Sequence, residues 1–522
     1  MGNRFNNFRN GLLLAIATSI TAIALQTATF SAEKINFNYS LLGFEVLVKD
    51  LEAFAKEGKI SSQLDFYLKR ISPEQTEQLQ KFLNQSYDVD PVLVYRYSRT
   101  SVGIKLLERI GEIIQLPGNL NGFYGLRGTL IKTAATKDGI NLIDFLKGFP
   151  TDLKLNLPEL LSLVKQISNS EQETKDFIAS LSKDKTNKAQ VNFKNSPDFS
   201  QPGKYKTTQQ TLELYDRQRD RRLNTSLYLP VTTNSIPVIV VSNGLGAKRD
   251  RFRELAQHLA SYGFAVVIPD HPGSDRQRQK AFLKGLYKEN FDATDFIDRP
   301  LDISYILDEL ELLNQNELNN RLNLEQVGIF GYSIGGTTAL SLAGAEIDFE
   351  YLASQCNEPL DLLNISILYQ CRALELSKQR SLKDERIKAA FMFVPFGNSL
   401  FSEAELAKVS IPMMWQVVDR DFLTSLLTEQ VPLFNNLTNS DSYLVISEKI
   451  PHSNVTLSKE QQSKQEKFRI AKNYQEILSL VFFQNYIAEN QEYAKYLTLE
   501  YIRAISQPPY SLHLINKRLR AL

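Results

Sequence analysis

The sequence is poor in the residues that hold metal ions. Its 522 residues include four histidines and two cysteines. They contain no His-Glu-x-x-His, no Cys-x-x-Cys and no Gly-Lys-Ser/Thr sequence, so zinc-dependent hydrolysis and P-loop nucleotide chemistry have no support. We therefore expect no metal and no cofactor. The formal net charge is only +1, which provides no general attraction to nucleic acid or to an anionic membrane.

The first 32 residues have the features of an export signal. A basic start precedes residues 11–25, an apolar run without charge that is short for a membrane span. Small residues follow, up to Ala32. We predict a signal peptide over residues 1–32 and an exported protein, in the periplasm, in the thylakoid lumen or secreted, with no transmembrane helix in the mature chain. An uncleaved N-terminal anchor is the alternative.

Export also changes what the two cysteines indicate. An oxidising compartment permits a disulfide between Cys356 and Cys371. Closing so short a loop stabilises a protein by about 3 kcal/mol in the chain-entropy model. We predict this bond, with two free buried thiols as the alternative.

The chain divides into segments of different composition. Residues 33–181 show apolar residues at helical spacing and helix-start signals at Ser72-Pro73 and Asp90-Pro91, which predicts a mainly helical domain. Residues 182–207 are rich in Lys, Asn, Ser and Pro and are typical of a linker. In residues 208–460 strand-like apolar runs alternate with helical segments, as in a mostly parallel sheet with helices on both faces. Residues 461–522 are expected to form a helical C-terminal segment.

Ser333 is the strongest candidate for a nucleophile. Gly331, Ser333 and Gly335 form Gly-x-Ser-x-Gly between a strand-like run and a helix-like run. In that context the serine sits on a tight turn that only small neighbours permit, and its hydroxyl projects above the sheet. The pattern predicts an α/β-hydrolase fold with catalysis in the second half of the chain.

A serine hydroxyl needs a general base, and four histidines are available. His452 follows the last strand-like run, at the sheet edge where ligands bind, and is the predicted base. His258 lies within a helical stretch, His271 precedes the serine in sequence, and His513 lies in the C-terminal tail.

The base needs an acid that holds its tautomer, and two carboxylates qualify. Asp419 and Asp421 both follow the apolar run 411–418, and either completes the Ser–acid–His order of α/β-hydrolases. Spacing alone does not separate them. Backbone donors for an oxyanion should be the N–H of Ile334 and one from the glycine-containing loop 242–246.

At these residues the chain resembles a bacterial group of predicted dienelactone hydrolases, which is similar to platelet-activating-factor acetylhydrolases. The resemblance covers about residues 205–455 and is carried by Ser242-Asn-Gly-Leu-Gly246, Pro269-Asp-His-Pro-Gly-Ser274, Arg299-Pro-Leu-Asp302 and Gly331-Tyr-Ser-Ile-Gly-Gly336. The N-terminal part, with Leu51-Glu-Ala-Phe-Ala-Lys-Glu-Gly58, resembles a helical domain of unknown function that precedes this hydrolase in cyanobacterial proteins.

The resemblance implies roles for particular residues. Leu245 and Ile334 would supply the oxyanion N–H groups, and Asp421 is favoured over Asp419 as the acid. The chain departs from the family at Asn243, where the family usually has histidine.

Two insertions, residues 274–298 and 343–383, are candidates for lids over the site. The first interleaves basic and apolar residues, which suits a lipid ester, although a solvated charge run over a packed helix fits the same pattern. We therefore expect a serine hydrolase of carboxylic esters, on small-molecule, lipid or phospholipid-type acyl substrates, with no nucleic acid partner. A serine peptidase on the same fold and a catalytically inactive binding protein are the alternatives.

Overall fold

The computed structural model describes residues 31–39, 42–183, 193, 196–377, 381–450, 452 and 466–517. The chain divides into two compact units, Met1–Val164 and Lys165–Leu522. The predicted export signal lies outside the described residues except for Ser31 and Ala32. Ala32 is buried and donates its N–H to the carbonyl of Phe149 at 3.0 Å, so this alanine belongs to the folded first unit. No described helix combines the length and the apolar character that a bilayer crossing requires.

The first unit is built mainly from helices, as the apolar spacing predicts. Its helices are Val48–Glu57, Ser62–Leu68, Pro73–Leu83, Pro91–Tyr97, Ser101–Ile113, Phe123–Ala134 and Leu142–Gly148, followed by Leu157–Lys183, which contains the boundary between the units. The helix-start signals are confirmed. Ser72 Oγ accepts from the Gln75 N–H at 3.1 Å and Gln75 Oε1 accepts from the Ser72 N–H at 2.9 Å, while Asp90 caps the next helix.

The first unit also contains small sheets that the sequence did not reveal. The strands are β1 (Lys34–Tyr39), β2 (Leu42–Leu47), β3 (Ser86–Tyr87), β4 (Ile114–Leu116), β5 (Leu120–Asn121), β6 (Ile140–Asn141) and β7 (Leu153–Leu155). Five of them form a sheet in the order β2-β1-β7-β4-β5, and β3 pairs with β6. Strands of two or three residues are too short to show an alternation of apolar and polar side chains.

The second unit is organised around one nine-stranded sheet. Its strands are β8 (Thr207–Asp216), β9 (Arg221–Pro230), β10 (Ile236–Ser242), β11 (Ala265–Pro269), β12 (Leu322–Tyr332), β13 (Ile387–Phe393), β14 (Met413–Val418), β15 (Ser442–Ser447) and β16 (Leu512–Asn516). The order is β16-β15-β14-β13-β12-β10-β11-β9-β8. The strands from β11 to β15 run parallel, and β8, β9 and β16 are antiparallel to their neighbours.

Helices cover both faces of this sheet, which explains its nearly continuous apolar strands. Along β10, Val238 and Val240 belong to one buried cluster and Ile239 and Val241 to the other. The helices of this unit are Arg253–Ser261, Arg276–Leu283, Asp295–Asn316, Ile334–Leu342, Phe349–Asn357, Ser366–Gln370, Glu403–Leu406, Val431–Asn435, Glu466–Tyr486 and Leu499–Ile505. Because successive strand side chains face opposite sides, both faces must be apolar.

The C-terminal segment differs from the expectation of helices alone. After Leu499–Ile505 it returns as β16, antiparallel to β15, so His513 lies in the sheet and not in a tail. The pairing occupies the otherwise open edge of β15, which a helix would leave without backbone partners. The predicted linker also differs in the part that the structure describes: Phe199 is buried against the rings of Tyr493 and Tyr496.

The second insertion contains the helices Phe349–Asn357 and Ser366–Gln370 and a 3-10 turn, Cys371–Glu375. A disulfide joins Cys356 to Cys371, the pair that the sequence analysis expected to be bonded. The first insertion contains the helix Arg276–Leu283. Loops that follow β10, β12, β14 and β15 all leave the same edge of the sheet, because these strands are parallel.

Candidate active site

Ser333 occupies a sharp turn between β12 and the helix Ile334–Leu342. Its backbone has φ 53° and ψ −119°, a conformation that non-glycine residues rarely adopt. The flanking glycines allow it: a Cβ on Gly331 would lie 2.3 Å from the Gly335 carbonyl oxygen, and a Cβ on Gly335 would lie 2.0 Å from the Ser242 carbonyl oxygen. The turn therefore has the form of a nucleophile elbow, and Ser333 is partly exposed on it.

His452 and Asp421 form a hydrogen-bonded pair. His452 Nδ1 lies 2.5 Å from Asp421 Oδ2, and the two side chains are 11% and 1% exposed. Asp421 is itself fixed, because Oδ1 accepts from the N–H groups of Leu423 and Thr424 at 2.8 and 3.0 Å and Oδ2 accepts from the Thr424 hydroxyl at 2.6 Å. With Nδ1 on the carboxylate, the Nε2 atom of His452 is left as the ring nitrogen available for a proton transfer.

Asp419, the other acid that the spacing allowed, has a different partner. Its Oδ1 accepts from the N–H of Lys449 at 2.7 Å, and burial raises the pKa of its carboxyl above the ordinary value. Only Asp421 of the two contacts the imidazole of His452. The geometry thus separates two residues that sequence spacing left equivalent.

His452 lies beside the residue that precedes Ser333. The ring centroids of Tyr332 and His452 are 5.8 Å apart, and the Tyr332 hydroxyl donates to the carbonyl of His452 at 3.3 Å. Within the described part of the chain, the Ser333 hydroxyl makes no side-chain hydrogen bond. The His452 ring thus lies against the residue before Ser333, and among the described residues the Ser333 hydroxyl has no side-chain partner, His452 included.

The loop after β10 lies against the same turn. A Cβ on Gly244 would lie 2.7 Å from the Tyr332 ring and 3.4 Å from the Ser333 Cβ. Among the described residues, neither the N–H of Leu245 nor that of Ile334 donates to a protein acceptor. Both are backbone donors that a negatively charged oxygen beside Ser333 can use.

Arg299 anchors this loop, and sequence reasoning missed it. Its side chain is 1% exposed and donates to the carbonyl of Asn243, to Ser274 Oγ (2.8 Å from Nε) and to Asp295. The carbonyl of Ser274 in turn accepts from the N–H of Gly246 at 2.7 Å. The loop that carries Leu245 is thus held on both sides of this residue by one buried network.

A second buried chain of groups holds the start of the loop. Ser242 Oγ lies 3.2 Å from His271 Nε2, and His271 Nδ1 lies 3.1 Å from Asp302 Oδ2. Burial, together with the nearby Arg299, lowers the pKa of His271 to about 4. Burial opposes ionisation of Asp302, but hydrogen bonds from His271 and Arg221 outweigh it and keep the pKa of Asp302 below its ordinary value. His271 is therefore a neutral structural histidine, at most 2% exposed, and it is not positioned to serve Ser333.

The signal that could have found these residues was present in the sequence. Asp295, Arg299 and Asp302 recur at helical spacing, and His271 and Ser274 follow β11 directly. From the sequence alone, the motifs Pro269–Ser274 and Arg299–Asp302 carry the resemblance but indicate no role for these side chains.

Glu429 holds the loop that carries Asp421. Its carboxylate is fully buried and accepts from the N–H groups of Gly397 and Asn398 at 2.7 and 2.8 Å and from the side-chain amides of Asn364 and Gln370. Asn364 and Gln370 belong to the disulfide-bonded insertion, so that insertion is tied to the acid loop. In the described residues no group of His, Cys, Asp and Glu side chains is arranged to hold a metal ion.

Comparison with known proteins agrees with this architecture. Residues 31–156 match a family model described as an alpha/beta hydrolase of unknown function, DUF1400. Residues 237–348 match a model described as the alpha/beta hydrolase fold, and this match includes Leu245 and Ser333 and ends before Asp421. No curated protein matches the chain. The second unit has the α/β-hydrolase fold that the Gly-x-Ser-x-Gly pattern predicted.

Proposed function

We propose that this chain is a serine hydrolase of carboxylic esters. The α/β-hydrolase fold suggests a hydrolase. The observation that supports ester hydrolysis by a serine nucleophile is the arrangement around Ser333. A serine on a strained elbow lies beside two backbone N–H groups that have no acceptor among the described residues. The preceding residue, Tyr332, contacts an imidazole that is hydrogen-bonded to a buried carboxylate.

In the proposed reaction Ser333 Oγ attacks the ester carbonyl carbon while His452 Nε2 takes the hydroxyl proton. The carbonyl oxygen becomes an oxyanion and accepts from the N–H groups of Leu245 and Ile334. The alcohol then leaves with the proton from His452, and an acyl-enzyme remains. Water attacks this acyl group, again with His452 as base, and the carboxylic acid is released. Asp421 holds the tautomer and stabilises the imidazolium.

Lipid or phospholipid-type acyl esters are the proposed substrate class. The resemblance to predicted dienelactone hydrolases and to platelet-activating-factor acetylhydrolases supports an ester, and the basic and apolar first insertion supports a lipid. We also propose that the protein is exported, in the periplasm, the thylakoid lumen or the medium. The basic and apolar start of the chain and the disulfide support this, because disulfides persist in oxidising compartments.

The test is labelling by a fluorophosphonate probe together with hydrolysis of p-nitrophenyl esters of increasing chain length. Ser333→Ala should take up no label and lose several orders of magnitude in kcat, because removing a triad nucleophile removes the covalent step. The matched control is Ser341→Ala, which replaces a buried serine in the helix that follows Ser333. This variant should keep both the fluorophosphonate label and the wild-type kcat.

Three outcomes would reject the proposal. Retention of more than about a tenth of kcat by folded Ser333→Ala would exclude this nucleophile, and a folded wild-type protein without label would indicate an inactive binding protein. Cleavage of peptides in preference to esters would indicate a peptidase on the same fold.

A further inference from the structure

The helix Arg276–Leu283 lies directly on the loop that carries Leu245. A Cβ on Gly246 would lie 3.4 Å from Gln279 Oε1, so the buried face of this helix contacts the loop. Asp275 caps the helix by accepting from the N–H of Arg278 at 2.8 Å, and Phe282 is fully buried beneath it. The helix is therefore a fixed part of the rim of the candidate active site.

The outer face of this rim is basic and apolar. We define the rim surface as the exposed residues Arg276, Lys280, Lys284, Leu286, Tyr287 and Lys288. Arg276, Lys280 and Lys284 recur every four residues and so share one face of the helix and its following turn. Leu286 is 72% and Tyr287 is 45% exposed. The Tyr287 ring packs against Arg278, whose guanidinium carbon lies 3.6 Å from the ring centroid, so Leu286 is the apolar side chain of this surface that is mostly in water.

The cations of the rim surface are not neutralised locally. Among the described residues, none of its lysines nor Arg276 forms an ion pair. The acids nearby are engaged elsewhere: Asp292 lies 3.8 Å from Arg278, and Glu289 lies 3.8 Å from Arg372. The rim surface therefore has a local positive charge although the whole chain has a net charge of only +1.

A second group of exposed apolar side chains flanks the candidate acid. Phe422 and Leu423, directly after Asp421, are 66% and 40% exposed. Their backbone is held by the second insertion, since the carbonyls of Phe422 and Leu423 accept from the N–H groups of Ile365 and Ser366 at 3.3 and 2.9 Å. The side chains of Phe422 and Leu423 are thus exposed on a fixed loop.

We propose that the rim surface, with Phe422 and Leu423, seats this protein on an anionic lipid surface. The two groups follow β11 and β14, which are parallel, so both leave the carboxyl ends of the strands. Lysines attract the negative charge of phospholipid headgroups, and leucine, tyrosine and phenylalanine enter the interface. A nucleic acid would match the cations and could stack a base on Phe422, but it offers no apolar partner for Leu286. This inference rests on the proposed function in one respect: the substrate that the protein reaches at the lipid surface is taken to be a lipid ester.

The experiment measures binding without hydrolysis. Full-length Ser333→Ala is sedimented with vesicles of phosphatidylcholine alone, or of phosphatidylcholine and phosphatidylglycerol in equal parts. We expect binding to the mixed vesicles that weakens with salt. In the same background, Lys280→Gln/Lys284→Gln/Lys288→Gln should weaken it about a hundredfold, at about fivefold for each cation.

A matched control removes three exposed lysines near the amino-terminal ends of the strands, opposite to the rim surface. This variant, Lys204→Gln/Lys206→Gln/Lys388→Gln, should leave binding unchanged. Leu286→Ser, which keeps every charge, should weaken binding to the mixed vesicles as well. Circular dichroism and the urea unfolding midpoint of each variant serve as folding controls.

Four results would overturn the proposal: no binding to the mixed vesicles, equal loss in both lysine triples, no effect of Leu286→Ser, or tighter binding to heparin than to the mixed vesicles. If the protein binds vesicles but takes up no fluorophosphonate, the lipid surface stands and the proposed function fails. If the protein takes up the probe but does not bind vesicles, the proposed function stands and the lipid-binding surface fails.

Discussion

Arg299 should control the position of the Leu245 N–H, the second of the two proposed oxyanion donors, without touching the substrate. Its guanidinium joins the Asn243 carbonyl, Ser274 and Asp295, and Ser274 in turn holds Gly246. Arg299→Lys keeps the positive charge. The single ammonium group of lysine cannot donate to all three acceptors that are arranged around the planar guanidinium. The loop that carries Leu245 should then shift, so that the hydrogen bond from its N–H to the oxyanion is weakened.

The size of the effect follows from two limits. Complete loss of one oxyanion donor costs about a hundredfold to a thousandfold in kcat, and a partly displaced donor should cost about tenfold to a hundredfold. KM should change less than about threefold, because the donor acts mainly in the transition state. Stability should fall by about 1–3 kcal/mol, since buried acceptors lose a partner.

The pH dependence gives a second readout. Burial raises the pKa of Asp295 to about 6, and Arg299 is the largest of the influences that oppose this shift. Because the folded state binds this proton more tightly than the unfolded state, the contribution of Asp295 to stability falls as pH rises from about 4 to 6. Arg299→Met should extend that decline to higher pH, measured by urea unfolding at a series of pH values.

The assay is steady-state kinetics on a small ester with circular dichroism as the folding control. Arg372→Lys is the matched control, because Arg372 is a buried arginine that donates to the Phe291 carbonyl at 2.7 Å and does not bond the oxyanion loop. It should lower stability with little change in kcat. A folded Arg299→Lys protein with unchanged kcat, or with a change in KM alone, would refute the reasoning.

Three further predictions concern other parts of the second unit. Asp421→Asn should lower kcat far more than Asp419→Asn in steady-state assays, because Asp421 is the one of these two carboxylates that contacts the imidazole; the reverse ranking would assign the acid to Asp419. Removal of the disulfide by Cys356→Ser/Cys371→Ser should lower the free energy of unfolding by about 3 kcal/mol in urea titrations, and a loss under about 1 kcal/mol would contradict the loop-entropy estimate. Burial lowers the pKa of His258 from 6.5 to about 4, so its contribution to stability is present above pH 6.5 and lost as pH falls towards 4. Between pH 6.5 and 4 the free energy of unfolding of His258→Gln should therefore fall less than that of the wild type. Equal losses would contradict the inference that His258 is buried in its neutral form.

The candidate nucleophile could be found from the sequence because its geometry depends on immediate neighbours. Gly331 and Gly335 lie within two residues of Ser333, and they are the positions where a Cβ would collide with backbone. The strands were visible for a similar reason: they are buried on both faces, so their apolar runs are nearly continuous. The short strands of the first unit leave no such local pattern.

The acid could not be chosen from the sequence, because the choice depends on which way two side chains turn from one loop. Asp419 and Asp421 are two residues apart, but Asp419 turns to the backbone of Lys449 and Asp421 turns to His452. The difference arises from where β15 and its loop lie in space. Only contacts distant in sequence determine that, and spacing along one loop contains no information about them.

The network around Arg299 shows the same limit more strongly. Asp295, Arg299 and Asp302 recur along one face of a helix, a pattern of charge that usually indicates exposure to solvent. Here that face is buried, since the turn after β11 contributes His271 and Ser274 as partners for the charges. Buried charge is tolerated only when every group finds such a partner, and the partners come from segments far apart in sequence. The reacting atoms of the proposed site are therefore specified locally, whereas the geometry that makes them useful is specified by a network that only the folded chain assembles.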